Sequence, residues 1–455
     1  MIDRTQPPAP GIPKDVVFPD YTETVLANGL KVIVYERHDI PTVTVNVVCR
    51  RGSFSDGEMP GTASITAEML TRGTATRSAV AIADEIECLG GSIGASAGWD
   101  SLYAGLTILS RNLTPAMEVL ADVVHAPAFA DDELDRVREQ RLAAIMHRKS
   151  NPATLAGARF TKAVYGAFPY ARPAEGSEES VAAMTRAHLA GFHAAAFVPA
   201  TMFVIAVGDV HPSEFIPLVD RLFGSTPPGE ALTHVHHDLV TPEAVQVHVV
   251  DRPTAVQSSI IVGHAGIPRS HPDYIAVTIM NTILGGYFGS RLNLNLREDK
   301  GFTYGAHSRF EARSYAGPFS ASTDVRNEVT ADAIAEIIRE ITRLTEEPVG
   351  EAELEGVKRY VTGNFPIQIE TPVQVAQRII TMELFGLAKS YYTTFNSAVM
   401  ALTPDDILRA AQASMHPSRL MISVAGRAEV LREALGRFGT VHVFDANDVV
   451  LQPTT

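Results

Sequence analysis

The chain has 455 residues, of which 45% are hydrophobic and 20% charged, with a formal charge of −14 at pH 7. Its length exceeds one ordinary core and predicts two or more domains, and its ordinary composition excludes a disordered or fibrous chain. An acidic balance without a basic cluster argues against general nucleic-acid binding, and no run approaches the roughly 18 apolar residues that span a bilayer.

Residues 1–19, with Pro7, Pro8, Pro10 and Pro13, read as an extended arm. They lack the apolar core of a signal peptide, so the expectation is a cytoplasmic chain as it stands, or a periplasmic one if a leader has been removed. From residue 20 the pattern becomes that of a folded domain. Two β-rich runs, Tyr21 to Ala27 and Leu30 to Tyr35, flank Asn28-Gly29, a dipeptide suited to a tight hairpin turn. In a third strand Val43, Val45 and Val47 alternate with Thr44 and Asn46, as expected of a half-buried strand. Helices are predicted from Thr62 to Thr71, from Ser78 to Leu89, after Thr114-Pro115, and from Asp131 to about Lys149. Ser92 to Ser110 reads as a strand pair.

The second half repeats this order. Glu133-Leu134-Asp135-Arg136-Val137-Arg138 is echoed by Glu353-Leu354-Glu355-Gly356-Val357-Lys358, and Tyr103-Ala104-Gly105 by Tyr315-Ala316-Gly317. The echoes predict a duplicated unit of about 220 residues. Prolines and polar residues place a linker at 229–243, between domains at 20–228 and 244–455. Strand runs mixed with helix runs predict an α+β fold in which helices cover one face of a largely antiparallel sheet. Cys49 and Cys88 are too few for a disulfide framework and are expected to be small buried thiols.

Among the 15 histidines no two stand four positions apart, which excludes a helical two-histidine zinc pair. His234, His236 and His237 fall in the expected linker and read as solvated. Ser64 lacks the G-x-S-x-G elbow of a nucleophile. Gly285, Gly286 and Gly289 lack the Gly-Lys-Ser/Thr that would make them a phosphate loop, and read as close-packing glycines at a bend.

Gly61 to Thr74, GTASITAEMLTRGT, resembles the helix of the pitrilysin, insulinase and mitochondrial processing peptidase family that carries H-x-x-E-H before Met-Leu and Gly-Thr. In that family the two histidines bind zinc and the glutamate acts as general base on the metal-bound water. The matching positions here are Ser64 and Glu68 for the histidines and Ala67 for the base. Glu133 to Ala144 is similar to the segment that supplies the family's further glutamate ligand, at the position of Ala144. Leu284 to Gly305, LGGYFGSRLNLNLREDKGFTYG, resembles the stretch of the family's second domain that carries an Arg and a Tyr seven residues apart, here Arg297 and Tyr304. The likeness runs from about Thr22 to about Asp445.

The resemblance implies a zinc-free subunit of a heterodimeric metallopeptidase. Arg297 and Tyr304 would bind substrate and transition state in the active site of a homologous H-x-x-E-H subunit, whose zinc is the cofactor of the pair. Peptides would lie extended along a sheet edge. The expected partners are that subunit and peptide substrates, with no nucleic acid and no membrane. Two other roles stay open: a scaffold or core-type subunit without a peptidase task, and a dedicated peptide-processing subunit.

Overall fold

The computed structural model describes residues 18, 20–232, 239 and 242–451. Most of the expected N-terminal arm, part of the expected linker, and His234, His236 and His237 lie outside the described residues. The first sheet contains β1 (Thr22–Val25), β2 (Lys31–Glu36), β3 (Thr42–Cys49), β4 (Ser92–Ala97), β5 (Leu102–Leu109) and β6 (Met202–Gly208) in the order β1-β2-β6-β3-β5-β4. The second contains β7 (Gln246–Asp251), β8 (Gln257–Ala265), β9 (Ala306–Phe310), β10 (Pro318–Arg326), β11 (Met421–Gly426) and β12 (Val441–Phe444) in the order β12-β7-β11-β8-β10-β9. The fold is therefore α+β with two six-stranded sheets. Each sheet is mixed: β2 runs parallel to β6 and β7 runs parallel to β11 and β12, and the remaining pairs are antiparallel.

The local predictions follow from patterning and turn chemistry. Gly29 adopts φ +90° in the β1–β2 turn, where its lack of a Cβ removes the steric penalty. The four expected helices of the first half span Thr62–Leu70, Ala79–Cys88, Leu113–His125 and Asp131–Arg148. The Glu133 and Glu353 echoes both begin two residues inside a helix, Asp131–Arg148 and Glu351–Asn364. The Tyr-Ala-Gly echo does not mark equivalent places, because Tyr103 lies within β5 whereas Tyr315 precedes β10. Cys49 is buried, but Cys88 is exposed at the end of its helix, contrary to expectation.

The expectation of one covered face is also corrected. One face of the first sheet, with Val32, Val34, Val43, Val45 and Val47, packs on helices of its own half. The other face, with Ile33, Val48, Phe203, Ile205 and Val207, packs on Val375, Ala376, Ile379 and Met382 of the helix Pro372–Phe385. Reciprocally, Leu155 and Ala156 of the helix Pro152–Tyr165 cover Val250 and Ala425 in the second sheet. Each half lends a helix to the other's sheet, so β6 and β11 are buried along their whole length. Thr44 is buried for the same reason, and β3 is not the half-buried strand its alternation suggested.

Candidate functional site

The helix Thr62–Leu70 is buried at every position except Ser64 and Glu68, which are partly exposed. Spacing of i, i+4 sets these two side chains one above the other on a single face. Its N-terminus is held by Asp56, whose carboxylate accepts the backbone N–H groups of Gly61 and Ala63 at 2.8 Å each. Burial pushes the Asp56 carboxyl up to about 7, against the opposite pull of those two donors.

Ser64 and Glu68 open on a cavity of about 560 Å³ that is also lined by Arg72, Arg141 and residues 93–97 of β4, the edge strand of the first sheet. Arg141 projects from the helix Asp131–Arg148, donating to Ser64 Oγ at 3.2 Å and to Glu68 Oε2 at 2.7 Å. Arg72 Nη2 lies 3.5 Å from Glu68 Oε1. The structure thus brings Ser64 and Glu68 together around a guanidinium. Ala67 is buried and Ala144 exposed, and neither lines the cavity.

This donor set does not fit zinc. A protein zinc site offers imidazole, thiolate or carboxylate ligands in a tetrahedron. Here one hydroxyl and one carboxylate converge, the carboxylate already engages two guanidiniums, and Ala67 and Ala144 offer no donor atom in their side chains. Arg141 and Arg72 were missed as site residues in the sequence. The Glu68–Arg72 pair had a local signal in its i, i+4 spacing. The Arg141 contacts join it to Ser64 and Glu68, 77 and 73 positions away on another helix, and had none.

Arg297 and Tyr304 share one segment of the second half. Arg297 sits in a π-helical turn, Leu294–Asp299, preceded by another at Thr282–Gly286. Such wide turns are uncommon and concentrate at functional sites. The guanidinium of Arg297 stacks over the Phe288 ring at 4.3 Å, and its Nη1 is 3.3 Å from Glu298 Oε1 without hydrogen-bond geometry. That nitrogen is buried and faces only this carboxylate, while the side chain as a whole stays partly exposed. Tyr304 is 97% exposed, and among the described residues its hydroxyl meets no partner.

Buried amides hold this segment in place. Asn293 donates to the carbonyls of Tyr287 and Ala306 and accepts the N–H of Ala306, while Asn295 donates to Glu336 and Glu340. A Cβ at Gly285 would lie 2.5 Å from the backbone nitrogen of Ser308, which accounts for close packing there. No hydrogen bond or ion pair links Arg297 or Tyr304 to Ser64, Glu68 or Arg141 among the described residues, so they form two separate sets.

Residues 31–178 match the profile Insulinase (Peptidase family M16), and residues 183–361 match Peptidase M16 inactive domain. An uncharacterized zinc protease of Rickettsia felis is 26% identical over 341 residues, which make up 74% of this chain and 81% of that protein. A zinc protease of Mycobacterium leprae is 27% identical over 370 residues, 79% of this chain and 82% of the relative. Among solved structures, a peptidase M16 inactive domain from Pseudomonas fluorescens superposes with a TM-score of 0.85 at 30% identity, covering 90% of this chain and 98% of the other. A protease from Helicobacter pylori has a TM-score of 0.84 at 20% identity, covering 90% and 99% respectively, and shares the fold. With both halves matched by M16 profiles and a solved M16 homologue covering 90% of the chain, the chain belongs to the M16 family of insulinase and pitrilysin homologues.

Proposed function

We propose that this chain is the non-catalytic, substrate-binding subunit of a heterodimeric zinc metallopeptidase and completes the active site of a homologous H-x-x-E-H subunit. The observation that carries this reading is the Arg141–Glu68–Arg72 ion-pair set at the position where the family places its zinc ligands. A guanidinium stays protonated at any physiological pH, and two of them oppose a divalent ion at that position. Water activation then falls to the partner, and a solved homologue at 30% identity carries the description peptidase M16 inactive domain.

The chain's own contribution is to bind and orient. The partly exposed guanidinium of Arg297 offers donors to a peptide carbonyl, and the exposed Tyr304 hydroxyl is a donor for an oxygen that gains charge as water attacks. Edge strand β4, small in side chain and bordering the cavity, offers main-chain groups to an extended peptide.

The test is to assay peptide hydrolysis by this chain alone, by an H-x-x-E-H homologue encoded beside it, and by the two mixed. Turnover should require the mixture. Arg297→Ala or Tyr304→Ala in the mixture should lower it by about 100- to 1,000-fold, as loss of one oxyanion donor does. Normal rates in both variants would remove these residues from the mechanism and favour a scaffold role.

A further inference from the structure

We propose that Glu36, His38 and His211 form a divalent transition-metal site on the first domain, with Asp209 orienting His38. The site lies apart from the cavity at Ser64 and Glu68 and is built where β2 and β6 leave the sheet. These strands run parallel, and their last residues, Glu36 and Gly208, face each other across the ladder. Both exits therefore point the same way. His38 follows β2 by two residues, and His211 follows β6 by three, at the start of the helix Pro212–Phe223.

The three ligand atoms lie within 4.8 Å of one another. His211 Nδ1 is 2.9 Å from Glu36 Oε1, and His38 Nε2 is 3.6 Å from the same oxygen. In a tetrahedron with arms of about 2.0–2.1 Å, neighbouring ligand atoms stand about 3.3 Å apart, so the two distances bracket the edge an ion would impose. The imidazole rings are 4.6 Å apart between centroids. An ion would draw the three ligand atoms, now within 4.8 Å of one another, to about 3.3 Å apart.

The second observation concerns what lies behind the ligands. His38 Nδ1 is 2.8 Å from Asp209 Oδ1, and Asp209 Oδ2 in turn accepts the Ser110 hydroxyl at 2.6 Å. A carboxylate on one ring nitrogen fixes the tautomer, turns the other nitrogen toward the ion and raises its basicity. Two imidazoles and one carboxylate suit a borderline transition ion such as Zn²⁺ rather than Mg²⁺, which keeps to oxygen ligands. With all three side chains partly open to solvent, the fourth position is left to water.

Bound zinc would tie the exit of β2 to that of β6 and stabilise the folded chain by linkage. The experiment uses the full chain, stripped with chelator and dialysed, with His234, His236 and His237 replaced by Ala so that they contribute no binding. Titration calorimetry with Zn²⁺ should show one ion per chain and a raised melting temperature, and Mg²⁺ should show neither. His38→Ala and His211→Ala should each abolish that event, and Asp209→Asn should weaken it by about 10- to 100-fold. X-ray absorption at the zinc edge should report two imidazoles at about 2.0–2.1 Å. Absence of stoichiometric uptake, or uptake that survives both histidine substitutions, overturns the site. Loss of zinc on Glu68→Gln but not on His211→Ala would place the ion on the helix Thr62–Leu70, overturning this proposal and the zinc-free active-site reading together. Dependence on His38 and His211 leaves that reading untouched.

Discussion

Arg141 reaches Ser64 and Glu68 from a point one helical turn before Ala144, and with Arg72 it sets two positive charges against one negative in the same cavity. The pairs are partly exposed, so their net contribution to stability is small; what they change is which ligands the cavity accepts. Asp56, at the start of the same helix, has a measurable electrostatic signature. Its folded pKa of about 7 stands above the ordinary 3.8, so the folded chain holds this proton more tightly than the unfolded chain. The resulting stability is full below about pH 4 and is lost as pH rises to about 7, at up to ~1.4 kcal/mol per pH unit. Asp56→Asn removes that slope and retains only one acceptor for the two N–H groups. Urea unfolding at pH 5 and pH 8 should therefore find the variant more destabilised, relative to wild type, at pH 5. An identical deficit at both pH values would show that Asp56 titrates normally.

At the scale of elements, strand β6 illustrates how backbone geometry and site placement combine. Gly208 ends it with φ +134°, and a Cβ there would lie 2.1 Å from the Thr42 carbonyl oxygen of the adjoining strand β3. Gly208→Ala must therefore strain the backbone or push two central strands apart, at about 2–4 kcal/mol. Urea midpoints would measure this, and a cost within about 0.5 kcal/mol would mean that the strands yield freely. Strand β4 has the opposite character: it ends its sheet, is only partly buried and carries small residues, which suits a surface that meets a ligand. The two π-helical turns before Tyr304 depart from regular helix, and Asn293 and Asn295 supply the hydrogen bonds that hold the segment.

For the molecule as a whole, the exchange of helices makes the two sheets interdependent. Ile379, fully buried, packs a helix of the second half onto the far face of the first sheet. Further contacts join the halves: Arg313 stacks on Trp99 and Tyr170 at 4.4 and 4.5 Å, Tyr165 donates to the Ala316 carbonyl, and Asp100 accepts the Ser314 N–H. Ile379→Ala should cost about 2–5 kcal/mol. Hydrogen exchange should then quicken in β3 and β6, which are distant from residue 379 in sequence. If only amides of the second half respond, the helix does not support the first sheet.

Much of the fold was legible in the residues because its signals are local. Asn28-Gly29 marks a turn, alternation marks β3, and the 3.6-residue period with its caps marks the helices of the first half. That Ser64 and Glu68 share a face of Thr62–Leu70 was legible for the same reason, since i, i+4 spacing sets them together whatever surrounds them. Burial of the second face of β3, the guanidinium between Ser64 and Glu68, and the meeting of His38 with Asp209 and His211 were not. Periodicity records which positions avoid water, but not which distant element covers them. Ion pairs and ligand clusters join residues that only strand order and helix docking bring within reach. The sequence by itself determined the elements and which side chains share a face of the helix Thr62–Leu70; the tertiary structure alone decided that two guanidiniums meet Glu68 there.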